Sequence, residues 1–230
     1  MKARCLGVLF DLDGVLVDST PAVARCWTKW SHLNGFVPEE VIRRAHGRPS
    51  MATLRELLPN ADHEAENIQM EQWEIEDVSD VVPLPGAVQL LRSLLPERWA
   101  IVTSCTRPLA EVRIRAGGLP WPKLLVTSAD VQRGKPDPEP YLKGAMRLGL
   151  APADCLVVED APAGIRAGKA AGSPVLALRT TETDVELTAA GADWIVTNLA
   201  SVHPNASTST DRIELLLRSF AHPAKAHPSE

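Results

Sequence analysis

Six short apolar runs, spaced along the chain and separated mostly by helical patterning, constrain this fold more than any other feature. They are Cys5 to Phe10, Trp99 to Thr103, Leu124 to Val126, Cys155 to Val158, Val175 to Leu178 and Trp194 to Val196. Between the later ones lie a leucine cluster at Leu90, Leu91, Leu94 and Leu95, and helical stretches at Pro108 to Ala116, after Pro138 and at Pro162 to Ala171. Continuously apolar strands joined by helical crossovers predict a parallel sheet covered on both faces. In such a doubly wound sheet, ligands bind at the carboxyl ends of the strands.

The segment from Ser19 to Val82 interrupts this alternation. Val23, Cys26, Trp27 and Trp30 recur at helical spacing before Asn34-Gly35. A second helix is expected from Pro38 to Ala45, a third capped by Ser50 and a fourth, rich in glutamate, from about Asp62 to Val78. No strand pattern occurs among them. The reading is α/β: a core of residues 1–18 and 85–230 carrying a small inserted helical domain at 19–84. The polar stretch from His203 to Thr210 reads as a linker. Ile213, Leu216, Leu217 and Phe220 read as a short amphipathic helix before a loose tail.

With 230 residues, 45% hydrophobic content and formal net charge −5, the chain is expected to be a soluble globular protein. No apolar run approaches the roughly 20 residues that span a membrane. The N-terminus leads directly into a strand without a secretory h-region. The four cysteines, Cys5, Cys26, Cys105 and Cys155, lack metal-ligand spacing, so free thiols in a reducing cytoplasm are expected. An acidic chain without a lysine or arginine cluster is not expected to bind nucleic acid.

The first apolar run delivers Asp11 and Asp13 just before Gly14. Side chains two apart on an extended segment point the same way, and two like charges there repel unless a cation lies between them. Aspartate and glycine are also common turn residues, so this stretch alone fits either reading. The other strand ends add Ser104, Glu159 and Asp160, and the loop Arg133-Gly134-Lys135-Pro136-Asp137-Pro138 adds Lys135. In a doubly wound sheet all of these fall on one rim.

That set suits phosphoryl transfer. A Mg²⁺-type ion prefers oxygen ligands, and Asp11, Asp160 and a backbone carbonyl near Asp13 are candidates, with Glu159 further out. Asp11 is the candidate nucleophile. Asp13 is the candidate acid and base. Ser104 and Lys135 are expected to hold the non-bridging oxygens. A calcium-loop reading fails, because the required glycine and glutamate positions hold Leu16 and Ala22. Gly164 to Gly168 lies inside a helical stretch instead of opening one, so it is no phosphate loop.

Taken together, Asp11-Leu12-Asp13-Gly14-Val15, Val102-Thr103-Ser104, Gly134-Lys135-Pro136 and Val158-Glu159-Asp160-Ala161-Pro162-Ala163-Gly164 resemble the four motifs of the haloacid-dehalogenase superfamily. The resemblance runs to about Val202 and is to the branch with a helical cap after the first strand, on a Rossmann-like core. It implies a Mg²⁺-dependent phosphatase acting on small phosphorylated sugars or polyols, similar to glycerol-3-phosphate and 2-deoxyglucose-6-phosphate phosphatases. A monomer or weak homodimer is expected. The alternative is a hexose-phosphate mutase, but Val23 stands where mutases of this family carry a histidine, and Ser50 where they carry a phosphate-gripping arginine. Lys29, the only lysine between Ser19 and Pro85, is expected on a solvent face, so it makes no Schiff-base lysine of the phosphonatase kind.

Cys105 replaces the glycine usual in close relatives and occupies a phosphate-facing backbone position; it is either a packing residue or an oxidisable thiol. Arg107 lies close by. The resemblance places substrate specificity on His46, Gly47 and Arg48. Trp27 and Trp30 are either core or the lining of a sugar pocket.

Overall fold

The computed structural model describes residues 1–45, 50–205 and 212–218. The apolar run at the N-terminus is not one strand. It divides at Leu6, whose amide donates to the Asp154 carbonyl, into β1 (Lys2–Cys5) and β2 (Gly7–Phe10). A short β3 (Val17–Asp18) follows, and then four helices: α1 (Thr20–Asn34), α2 (Pro38–Ala45), α3 (Ser50–Leu57) and α4 (His63–Glu76). β4 (Val82–Pro83) pairs back onto β3. The chain thus leaves the sheet and returns to it through one narrow two-stranded neck.

The four helices bury an apolar cluster of their own around Trp27, Trp30, Val41, Leu54 and Met70. Trp30 is 1% exposed, stacks on Phe36 and donates its indole N–H to Glu66 at 2.7 Å. Trp27 and Trp30 are therefore core residues. Asp62 caps α4 by accepting from the Ala65 amide at 3.1 Å. Ser50 is not a cap. It lies within α3, and its hydroxyl donates to Asn67.

Beyond the neck come α5 (Ala87–Ser93), β5 (Trp99–Val102), α6 (Arg107–Ala116), β6 (Leu125–Val126), α7 (Glu139–Leu148), β7 (Cys155–Glu159), α8 (Pro162–Ala170), β8 (Val175–Leu178), α9 (Asp184–Ala189) and β9 (Trp194–Val196). Six strands form one parallel sheet in the order β6-β5-β2-β7-β8-β9. Alternate residues face opposite sides. Val8 and Phe10 join one core, and Leu9 joins the other with Tyr141 and Ile165. β2 sits between β5 and β7, so the winding reverses at its carboxyl end and opens a crevice there.

The C-terminal expectation is overturned. Residues 213–217 form β11 (Ile213–Leu217), a strand instead of a helix, and His203-Pro204 belongs to β10 (Val202–Pro204) instead of a linker. Trp194 to Val196 is accordingly not the last strand. β11 lies antiparallel between β1 and β10. Leu215 and Leu217 enter the main core, while Glu214 accepts from Lys2 at 2.9 Å and Arg4 at 2.8 Å. The segment is a strand because it pairs on both edges, with nearby β10 and with β1 some 200 residues away, and a local pattern does not record the second partner. Among the described residues no helix is long and apolar enough to cross a membrane.

Candidate active site

The site begins where β2 ends. Asp11 continues the strand by one residue, its amide donating to the Val158 carbonyl of β7 at 3.0 Å. Parallel register sets Phe10 beside Val158, so Asp11 emerges next to Glu159 and Asp160. Among the described residues, these three carboxylates lie close enough to share one ion, each offering an oxygen within 4.8 Å of the others.

Lys135, from the loop before α7, reaches into this cluster. Its ammonium is 2.8 Å from Asp11 Oδ1 and 2.7 Å from Glu159 Oε1, and it donates to the Val102 carbonyl at 3.1 Å. Tyr141, fully buried on α7, donates its hydroxyl to the same Glu159 oxygen at 2.6 Å. The other Glu159 oxygen accepts from the amides of Asp160 and Ala161 at 3.1 and 3.3 Å. Glu159 is thus engaged at both oxygens and serves first to hold Lys135. Gly164 permits this, since a Cβ there would lie 1.6 Å from Glu159 Oε1.

Asp160 is fixed by Thr181, whose hydroxyl donates to Oδ2 at 2.6 Å. Gly14 supplies the space. A Cβ there would meet Asp160 Oδ2 at 1.9 Å, and its φ of +73° is left-handed backbone that favours glycine.

Burial raises Asp11 to about 7, against the pull of Lys135 and with help from Glu159. Burial, Glu159 and Asp11 push Asp160 well above the ordinary carboxylate range. Lys135 is raised despite burial, because Asp11 and Glu159 outweigh it, so it stays charged. Fully ionised, the three carboxylates against one ammonium would leave two negative charges unmatched, which is why Asp11 and Asp160 hold their protons so strongly. A hard divalent cation suits both that charge and an all-oxygen donor set, with Asp11 and Asp160 as the residues free to hold it.

The Asp13 carboxylate stands outside this cluster. Ser19 donates to its Oδ1 at 2.7 Å, while the Cys105 thiol and the Arg113 guanidinium donate to its Oδ2 at 3.0 and 2.9 Å. Ser104 is exposed at the end of β5, on the same rim. The Cys105 amide is directed to Thr103 Oγ1 at 3.1 Å. Burial and the adjacent Asp13 push the Cys105 thiol up, which disfavours the thiolate that oxidation requires. Arg107 is exposed and faces Asp130 at 3.5 Å instead of the site. Lys29 is exposed, with its ammonium 4.0 Å from the centre of the Trp73 ring. Val23 packs against the apolar cluster of the four helices. His46, Gly47 and Arg48 lie outside the described residues.

Four participants escape sequence reading. Thr181 follows the end of β8 and could have been flagged by the strand-end rule. Tyr141 and Arg113 depend on partners brought from other elements, whereas Ser19 lies only six residues from its partner Asp13.

Comparison with known proteins adds four observations. A family model described as haloacid dehalogenase-like hydrolase matches residues 6–172. Hexitol phosphatase A of Escherichia coli (strain K12) is 48% identical over 182 residues, 76% of this chain and 83% of that protein. Glycerol-1-phosphate phosphohydrolase 2 of Saccharomyces cerevisiae is 35% identical, covering 96% of this chain and 94% of its own. A solved hydrolase from Pseudomonas syringae superposes with a TM-score of 0.74 at 28% identity, over 85% of this chain and 94% of that one.

Proposed function

The chain belongs to the haloacid dehalogenase-like hydrolases, and from that premise we propose that it is a Mg²⁺-dependent phosphatase of small phosphorylated sugars and polyols. The observation that carries this reading is Lys135 bridging Asp11 and Glu159 beside Asp160, a buried site two positive charges short. The names of the hexitol and glycerol phosphate relatives support the substrate class.

Asp11 attacks phosphorus, the bond to the leaving oxygen breaks, and an aspartyl-phosphate forms on this residue. Asp13 gives the departing alkoxide its proton. Asp13 then takes a proton from the water that attacks the aspartyl-phosphate, releasing phosphate and regenerating Asp11. Lys135 holds the non-bridging oxygens during both transfers, with Ser104 on the neighbouring strand end as a second donor. Asp11, Asp160 and the Asp13 carbonyl would hold the cation, which supplies charge neutralisation for the incoming phosphate. Residues 19–84, tethered through the β3–β4 neck, act as the cap that excludes bulk water, and residues 1–18 and 85–230 as the core.

The test is phosphate release from a panel of small phosphate esters with Mg²⁺ present. Hydrolysis by the wild type, abolished in Asp11→Asn, is expected. Substantial turnover by a folded Asp11→Asn variant, or none by the wild type across the panel, overturns the reading.

A further inference from the structure

We propose that Arg113 is a positioning residue that ties Asp13 to helix α4 through Glu74; this rests on the role given to Asp13 above. Arg113 lies on α6, and its side chain is only 5% exposed. One guanidinium nitrogen donates to Asp13 Oδ2 at 2.9 Å and the other to Glu74 Oε2 at 2.6 Å. The first also touches the Cys105 sulfur at 3.1 Å. Glu74 sits in the last turns of α4, in the helical insertion, with its side chain 13% exposed.

A buried arginine shared by two carboxylates from different parts of the chain is held by both, and removing either carboxylate changes its hold on the other. Asp13 therefore has one oxygen set by a local hydroxyl, Ser19, and the other held by the Cys105 thiol and by Arg113, which also binds Glu74 of α4. A second contact joins the same helix to the same rim, with Thr106 donating to Glu71 at 2.6 Å. That contact bypasses Asp13. The direct link from α4 to the proton donor is therefore Arg113, whereas Thr106 touches α4 but not Asp13.

The leaving group separates this role from a merely structural one. An alkoxide needs a proton as it departs; p-nitrophenolate does not. The measured quantity is kcat/KM with Mg²⁺ present, which covers the steps up to alcohol release. The two substrates are glycerol 1-phosphate and p-nitrophenyl phosphate. Glu74→Gln keeps the shape of the side chain. The double variant Glu74→Gln/Arg113→Met removes both charges together and leaves neither of them buried alone.

Both variants are expected to lose about tenfold or more on the glycerol ester and less than about threefold on the aryl ester. Thr106→Val is expected to show no such split. Equal losses on the two esters, no loss on either, or the same split in Thr106→Val overturns the role of Arg113. Wild-type protein that hydrolyses neither ester defeats the reading of the site as well, whereas active wild type with equal variant losses defeats only this inference.

Discussion

Lys135 Nζ stands 2.8 Å from Asp11 Oδ1, and the same ammonium is 2.7 Å from Glu159 Oε1. One buried cation therefore orients the proposed nucleophile and is itself held by a glutamate that has no oxygen to spare.

Removing that cation leaves the carboxylate cluster uncompensated. Lys135→Met is expected to lose roughly 3–5 kcal/mol of stability in metal-free protein at neutral pH. Because the variant cluster is more negative, Mg²⁺ is expected to raise its Tm more than that of the wild type. Thermal melts of both proteins with and without Mg²⁺ check this, and an equal shift in the two argues against a shared ion.

Asp11 titrates at about 7 in the folded protein, well above the roughly 4 of an unfolded aspartate. A raised carboxyl favours the folded state while protonated, so its contribution is fully present below about pH 4 and lost as pH rises through about 7. Asp11→Asn cannot ionise. Metal-free Asp11→Asn is expected to exceed the wild type in stability above pH 7, by about 4 kcal/mol, with the gap closing toward pH 4. Urea unfolding across pH 4–8 in the presence of a chelator measures it, and a gap independent of pH would contradict the assignment.

Gly14→Ala places a methyl group 1.9 Å from Asp160 Oδ2 on left-handed backbone. Asp160 must move away from Asp11, so Mg²⁺-supported turnover is expected to fall by about a hundredfold or more, while the strain costs about 1–2 kcal/mol. Titrating Mg²⁺ against activity is the check, and an unchanged half-saturating concentration would sink the link between Gly14 and the metal.

Leu215 is completely buried in the main core from β11. Leu215→Ala is expected to cost about 2–5 kcal/mol, like other large-to-small core changes. Chemical denaturation reads the loss directly. A change within about 0.5 kcal/mol, the usual size for a surface position, would show that this strand is not docked.

Much of the site is legible because parallel strands bring their carboxyl ends to one rim. Asp11, Glu159 and Asp160 each follow an apolar run, and Lys135 lies in a short proline-flanked loop, so topology alone assembles them. Arg113 is different. Its position on α6 resembles any helical arginine, and only the packing of α4 against α6 gives it two buried carboxylates. Trp30 likewise carried two readings until Glu66 and Phe36 appeared around it.

By itself the sequence determined the α/β alternation, the four-helix interruption and the identity of the residues on the rim. These are local properties, carried by apolar periodicity and by which residue follows each strand. The tertiary structure alone decided that the C-terminal segment pairs with β1, that Glu159 is spent on Lys135 and Tyr141, and that the Asp13 carboxylate faces Arg113 instead of the metal cluster. Each of these is a contact between residues far apart in the chain. Its free energy exists only once the intervening loops have closed, and no local pattern records that.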